Sequence, residues 1–240
     1  MESPLLLALS RQLAVRDQME TIANNVANMS TNAYKGERTL FHKYMSGPTG
    51  PNQQIIFPQL KGIFRETNEG AISTTGNSLD VALRGKGFLV IDTPQGQRFT
   101  RDGHLSLNSK NQIVTQQGYP VLGSNNRPMT VPQDAGSITI ATDGTVSAGE
   151  VQVGQLKLVA FDNEQRLVRT GDGLYNTDAP QNRATDVEVL QGQLEGSNIQ
   201  PVLEITRMIE ASRIYQSAQK IVNSEDERIR NAIERLAKVA

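Results

Sequence analysis

Residues 208–236 read MIEASRIYQSAQKIVNSEDERIRNAIERL, and this stretch decides the architecture. Met208, Ala211, Tyr215, Ala218, Val222, Glu225, Ile229, Ala232 and Leu236 recur at alternating steps of three and four, which places them along one helix face. Only Glu225 among them is plainly polar. The other end keeps the same rhythm through Leu5, Ala8, Gln12, Val15, Met19, Ile22 and Val26, with Leu9 beside the stripe and Gln12 its one polar member. Neither stripe is stable in water by itself. A helix running into the middle of the chain and one running out of it lie antiparallel if they emerge side by side. At about 1.5 Å per residue they span roughly 35 Å and 50 Å, so the last helix overhangs the first. An overhanging seam needs cover from another chain, and the small Ala211, Ala218 and Ala232 permit close approach. An intrachain coiled coil that only ties the termini down is the simpler alternative.

Between the helices the texture changes. The first helix is expected to end near Asn28, where Asn24, Asn25, Asn28, Ser30, Thr31 and Asn32 compete with helical hydrogen bonding. Gly47, Pro48, Gly50, Pro51, Pro58, Gly62 and Gly70 then suggest an extended connector. From Leu83 onward, short strands are expected at residues 88–91, 98–101, 104–107, 112–115, 119–122, 138–141, 146–148, 155–161, 166–169 and 187–190. Asp102-Gly103 and Asp143-Gly144 serve as turn signals, the first for a hairpin. Alternation at Leu105/Leu107 and Ile138/Ile140 points to strands with one buried face. Pro201 suits the first turn of the final helix because no amide donor is needed there. The expected fold is α+β and multidomain: N- and C-terminal α-helices form a coiled-coil-like domain around an inserted all-β domain. Residues 1–35 and 193–240 are its helical parts, 36–82 the connector and 83–192 the β-rich domain.

Composition sets the class of function. The 240 residues carry a net charge of −1 with no clustered Lys or Arg, which gives no electrostatic basis for binding nucleic acid. A mean hydropathy of −0.41 marks a soluble chain, and the apolar run Leu5 to Leu9 is too short, and too poor in preceding basic residues, for a cleaved signal. With no cysteine there is no thiolate chemistry. His42 and His104 have no second ligand at metal spacing. Gly85-Lys86-Gly87 lacks the third glycine and the following helix of a phosphate loop. Asp80, Asp92, Asp102 and Asp143 sit near turns, where aspartate has a local backbone role, so a carboxylate pair of the glycosidase kind is disfavoured. The expectation is a non-enzyme with no cofactor, no metal and no small-molecule substrate.

Three ordered stretches carry a family resemblance. Ala23-Asn24-Asn25-Val26-Ala27-Asn28, Thr31 and Tyr34-Lys35 resemble the amino-terminal signature of the bacterial flagellar rod and hook proteins. Leu194-Glu195-Gly196-Ser197-Asn198-Ile199, then Val202, Glu204, Met208-Ile209, Arg213, Tyr215 and Lys220, resemble the carboxy-terminal one. Gly85-Lys86-Gly87-Phe88, Phe99-Thr100-Arg101-Asp102-Gly103, Val114-Thr115, Gly118 and Gly123 resemble the inserted β domain of the longer members. Chain length favours the proximal-rod branch, with the distal-rod branch as the alternative. Ala33 departs from the family's usual glycine, so the loop there is expected to take a different path, and the block Tyr215 to Lys220 matches only in part.

The resemblance implies a periplasmic basal-body rod subunit, exported through the flagellar type III apparatus without a cleaved signal and carrying torque. Its implied partners are copies of itself and other rod proteins, namely FlgB, FlgC and FlgG-like neighbours. The expected subunit contacts at the first end are Leu5, Leu9, Val15, Met19, Ile22, Asn24, Asn25, Val26, Asn28 and Tyr34. At the second end they are Asn198, Met208, Ala211, Tyr215, Ala218, Val222, Ile229 and Leu236. The amides of Asn24, Asn25, Asn28 and Asn32 can donate and accept at once, which suits either a neighbour's backbone or a local turn. A stand-alone scaffold or adhesin on a coiled-coil stalk has the same sequence texture, and a peptidoglycan-cleaving enzyme is the weaker rival.

Overall fold

A computed structural model of the chain describes residues 3–46, 55–133 and 136–237, without the side chains of residues 3–6, 42–46, 55–60 and 236. It is an α+β structure with a helix at each end and an all-β middle. The chain divides into two compact units, Met1–Ala27 with Glu37–Glu66 and Gln200–Ala240, and Asn28–Gly36 with Thr67–Ile199.

The first unit holds α1 (Ser3–Ala27), β1 (Glu37–Ser46), β2 (Ile55–Arg65) and α2 (Pro201–Ala237). The apolar stripes meet each other: Val15 and Ile22 close on Ala211, with Met19, Val26, Met208, Ile214 and Tyr215 half-buried around them. Gln12 Nε2 donates to Gln219 Oε1 at 2.5 Å and Asn25 Nδ2 to Glu204 Oε2 at 3.2 Å, so the helices are antiparallel. From that first pair α1 continues back to Ser3 and α2 on to Ala237. The second helix therefore overhangs by about nine residues, roughly 13 Å.

Residues 36–82, expected as an extended connector, instead contribute a long antiparallel hairpin to this unit. β1 and β2 pair from Glu37↔Arg65 to Ser46↔Ile55 with one bulge at Leu40/Phe41. The glycine and proline content misled because a two-stranded ribbon is all edge. Gly62 sits at the bulge opposite Leu40, and Pro58 opposite Lys43 occupies an edge strand that can lack a donor. Gly47, Pro48, Gly50 and Pro51 lie outside the described residues.

The second unit is built from short strands: β3 (Ile72–Thr74), β4 (Val81–Gly85), β5 (Phe88–Thr93), β6 (Gly96–Thr100), β7 (Leu105–Leu107), β8 (Ile113–Thr115), β9 (Ile138–Ile140), β10 (Thr145–Ala148), β11 (Val151–Gln155), β12 (Leu158–Ala160), β13 (Val168–Gly171), β14 (Leu174–Asn176), β15 (Asn182–Arg183), β16 (Val187–Gln191) and β17 (Gln193–Glu195). Six form one sheet in the order β13-β14-β6-β5-β12-β15, and β11-β10-β9 form a second. β4 pairs with β16, β3 with β17 and β7 with β8, all antiparallel. In β5, Leu89 and Ile91 enter one core with Val81, Leu83 and Ile113. Phe88 and Val90 enter another with Phe99, Phe161 and Tyr175. Alternate residues of a strand face opposite sides, so an unbroken apolar run is what a sheet buried on both faces requires.

Several local expectations are corrected. Asp102-Gly103 is not a hairpin turn, since β6 pairs with β5 and β14 while β7 pairs with β8. Gly103 is there for close approach: a Cβ on it would stand 1.8 Å from the Val81 carbonyl oxygen. Residues 119–122 make only isolated bridges, 155–161 divide between β11 and β12, and 166–169 begin in a single 3₁₀ turn, Glu164–Arg166. Leu107 is 39% exposed, so the alternation at Leu105/Leu107 does not mark one buried face. By contrast, Asp143-Gly144 does close the β9–β10 hairpin, with Asp143 Oδ1 accepting from the Thr145 amide at 2.8 Å.

Ala33 holds the left-handed backbone angle that a glycine there would serve. It adopts φ 52°, buried, with its amide donating to the Glu195 carbonyl at 2.8 Å. An L-residue in the left-handed region costs about 1–2 kcal/mol, part of which glycine's greater unfolded freedom offsets. Ala33→Gly is therefore expected to stabilise the protein by about 0.5–1 kcal/mol, read as a higher thermal midpoint.

Candidate assembly surfaces and a buried ionic junction

The helical unit separates the expected contact residues into three groups. Val15, Ile22, Ala211 and Ala218 are buried and Met19, Val26, Met208 and Tyr215 half-buried, so the intrachain helix pair already occupies them. Leu9 and Ile229 are 45% and 46% exposed, and Val222 is intermediate. The side chains of Leu5 and Leu236 lie outside the described residues. Periodicity alone missed Leu7, Leu13, Val202, Ile205, Ile209, Ile221 and Ile233, each at least 39% exposed. They stand off the heptad line or continue it past the end of α1. Ile229 is eighteen residues after Ala211, which is five full helical turns. The same face is thus 1% exposed at Ala211 and 46% exposed at Ile229.

The asparagines divide as well. Asn24 is exposed, whereas Asn25 is 2% exposed. Asn25 Nδ2 donates to the Glu37 carbonyl at 2.8 Å and to Glu204 Oε2 at 3.2 Å, and its Oδ1 accepts from the Glu37 amide at 3.0 Å. It holds the start of β1 to both helices of its own unit. Asn28 Oδ1 accepts from the Thr31 hydroxyl at 3.2 Å, and the Asn28 carbonyl accepts from the Thr31 amide, a local turn.

In the β unit, Tyr34 is buried with the Arg169 guanidinium 4.2 Å from its ring centroid. Asn198 Oδ1 accepts from the Gly36 amide at 2.8 Å, and its Nδ2 donates to the Asn68 carbonyl at 3.0 Å. Both expected contact residues thus have intrachain work. Beside them lies a charged cluster that no spacing rule could have predicted. Glu195 Oε1 accepts from Lys35 Nζ at 2.5 Å and from the Gly70 amide at 3.0 Å, while Oε2 accepts from Arg101 Nε at 2.9 Å. Lys35 Nζ also donates to the Asn68 carbonyl at 2.8 Å. Arg101 reaches the carbonyls of Leu83, Gly85 and Gly87. All three charged side chains are at most 5% exposed.

Burial pushes the Glu195 carboxyl up, but the Arg101 and Lys35 charges and the hydrogen bonds from Lys35 and Gly70 outweigh it and hold the group below its ordinary value. Burial lowers Lys35, and although Glu195 opposes this, Arg101 adds to it. One carboxylate shared between two cations serves itself better than either of them.

Nothing in either unit has the form of a catalytic centre among the described residues. His104 Nε2 is 3.9 Å from Asp80 Oδ1, and no group of three or more His, Cys, Asp or Glu is placed to hold a metal. Asp80 accepts from Thr75 and Asn77, Asp102 from the His104 amide and Asp143 from Thr145, each within its own loop.

Three family models match in order: the "flagella basal body rod protein" model over residues 5–35, the "flagellar hook protein FlgE/F/G D1 domain" over 82–148, and the "flagellar basal body rod FlgEFG protein C-terminal" over 190–235. The flagellar basal-body rod protein FlgF of Caulobacter vibrioides is 35% identical across the whole of both chains. The FlgF of Mesorhizobium japonicum is 33% identical, covering 96% of this chain and 98% of that one. The FlgG of Caulobacter vibrioides is 34% identical over 92% of this chain and 94% of its own.

Proposed function

The chain belongs to the flagellar basal-body rod protein family and is a structural subunit of the FlgF-like kind, not an enzyme; on that premise we propose that it joins its neighbours through the exposed apolar faces of its helix pair. The terminal helices act as a coiled-coil-like seam in the wall of the proximal rod. The subunit contributes to the shaft that carries torque across the periplasm, beside copies of itself and FlgB-, FlgC- and FlgG-like neighbours. It reaches that position unfolded, through the type III export channel.

The observation that carries this reading is the continuation of the α1-binding face of α2 beyond α1. Ile229 and Ile233 are 46% and 60% exposed there, and isoleucines in that register gain by burial against another helix. A groove of about 400 Å³, lined by Leu7, Ala8, Ile214, Ala218 and Ile221 together with Arg11, Arg213 and Ser217, offers a largely apolar seat on a neighbour. A head-to-tail contact of this kind repeats into a helical array.

The double substitution Ile229→Asp/Ile233→Asp is expected to leave cells non-motile, with basal bodies that lack a completed rod. The purified variant should keep the wild-type thermal midpoint because both positions are exposed. Normal basal bodies in such cells would overturn the assignment. Light scattering separates the stalked-scaffold alternative: a rod subunit stays monomeric until it meets its neighbours, whereas a scaffold forms a stable oligomer alone.

A further inference from the structure

The chain crosses between its two units at four places: after Ala27, after Gly36, after Glu66 and after Ile199. Three of these crossings are bordered by residues of the Glu195 cluster or by the amide partners of Asn198. Lys35 stands just before the second, Asn68 and Gly70 just after the third, and Glu195 and Asn198 just before the fourth. Within the β unit these segments run side by side with residues 195–198 in the middle. On one flank the Ala33 amide donates to the Glu195 carbonyl at 2.8 Å and the Asn198 amide to the Tyr34 carbonyl at 3.2 Å. On the other, Glu195 pairs with Ile72 and the Gly196 amide donates to the Ala71 carbonyl at 2.8 Å. Backbone approach is so close that a Cβ on Gly70 would stand 2.0 Å from the Gly196 carbonyl oxygen, and one on Gly36 would stand 2.6 Å from Ile199 Cδ1.

We propose that Glu195 is the hub of an ionic clamp that fastens three chain crossings to one another and, through Arg101, to β4, so that loosening one loosens the rest. The geometry divides the work. Oε1 holds the two outer segments through Lys35 Nζ and the Gly70 amide, and Oε2 holds Arg101. Arg101 is itself rooted in three main-chain carbonyls at the end of β4 and the turn after it. An apolar plug could fill the same space at similar stability. It would not fix three backbones in register, because dispersion contacts are non-directional whereas charge-assisted hydrogen bonds are not. The use of such a clamp, sharing tension among the connections of a subunit that carries torque, rests on the rod reading above.

Amide hydrogen exchange on the full chain tests it, with wild type compared to Glu195→Gln and Lys35→Met. Glu195→Gln is expected to speed exchange at Ala33, Gly70, Gly196 and Asn198 by about tenfold or more while β5 and β6 keep their protection. Lys35→Met leaves Arg101 on Glu195 and replaces the ammonium by an apolar side chain of similar length, so it folds even where the first variant does not. It should speed Ala33 and Asn198 while Gly70 stays slow. Acceleration spread evenly into β5 and β6 would make the cluster ordinary core, and no acceleration in either variant would leave the crossings independent; each overturns the clamp. Failure of the rod reading is distinguishable, since it would appear as normal flagella in cells lacking the gene and would leave the exchange pattern standing.

Discussion

Glu195→Ala is expected to lower the stability of the β unit by about 3–5 kcal/mol, since removing one member of a buried ion pair leaves its partners charged and uncompensated. Here two cations are left: Lys35 would keep the Asn68 carbonyl, and Arg101 its three carbonyls, with the partly exposed Glu69 carboxylate 3.9 Å from Arg101 as the remaining anion beside them, while the Gly70 amide would lose its acceptor. Glu195→Gln should cost less, because an amide oxygen still accepts. Acid exposes the same interaction. The folded Glu195 carboxyl lies below its ordinary value of about 4.5, so its contribution is fully present above that value and is lost as pH falls through the folded one. Asp102 works in the opposite sense, since burial raises its carboxyl and protonation on acidification removes a cost. The wild-type melting temperature should therefore fall on acidification below about pH 4.5, and the fall should be shallower in Glu195→Gln. Equal slopes in a melting series would show that the carboxylate is not what acid attacks.

The parts of the fold that could be read in advance are those in which one residue's neighbours are set by local period. The stripes Leu5 to Val26 and Met208 to Leu236 announced two helices and an overhang, because a 3.6-residue repeat needs no knowledge of the rest of the chain. Asp143-Gly144 announced its turn because the aspartate side chain and the glycine's positive φ act within the turn itself. Asp102-Gly103 misled for the same reason in reverse: its glycine answers to Val81, which spacing does not reveal. The β1–β2 hairpin was hidden because a ribbon with two open edges tolerates Pro58 and Gly62, the residues that argue against strands elsewhere. The ionic cluster lay in plain view as single letters. Each resembling stretch carries one of its charges, in Tyr34-Lys35, Thr100-Arg101-Asp102 and Leu194-Glu195-Gly196. Lys35 and Glu195 are nevertheless 160 positions apart, and Arg101 and Glu195 are 94, so nothing local pairs them. Several residues of the expected contact list have their cover within the chain, since a stripe that needs cover is satisfied first by the nearest helix of its own chain.

Asn25 supplies the sharpest separation between contact with a neighbour and support within the chain. Asn25→Ala should destabilise the helical unit by about 3 kcal/mol, because it removes a donor and an acceptor at once from a site closed to water. The Glu37 amide would lose its Oδ1 partner at 3.0 Å, the Glu37 carbonyl its donor at 2.8 Å, and the buried Glu204 carboxylate one of its donors, leaving Glu204 paired with Arg207. Asn25→Asp would keep an acceptor for the Glu37 amide but set a second carboxylate beside Glu204, so it should not recover the loss. Asn24→Ala, one position along on the exposed side of the same turn, should stay within about 0.5 kcal/mol of wild type. Urea denaturation of the purified variants measures all three. If Asn25→Ala kept the wild-type midpoint and yet blocked rod assembly, its amide would belong to the contact with a neighbouring subunit and the hairpin would be held in place by other means.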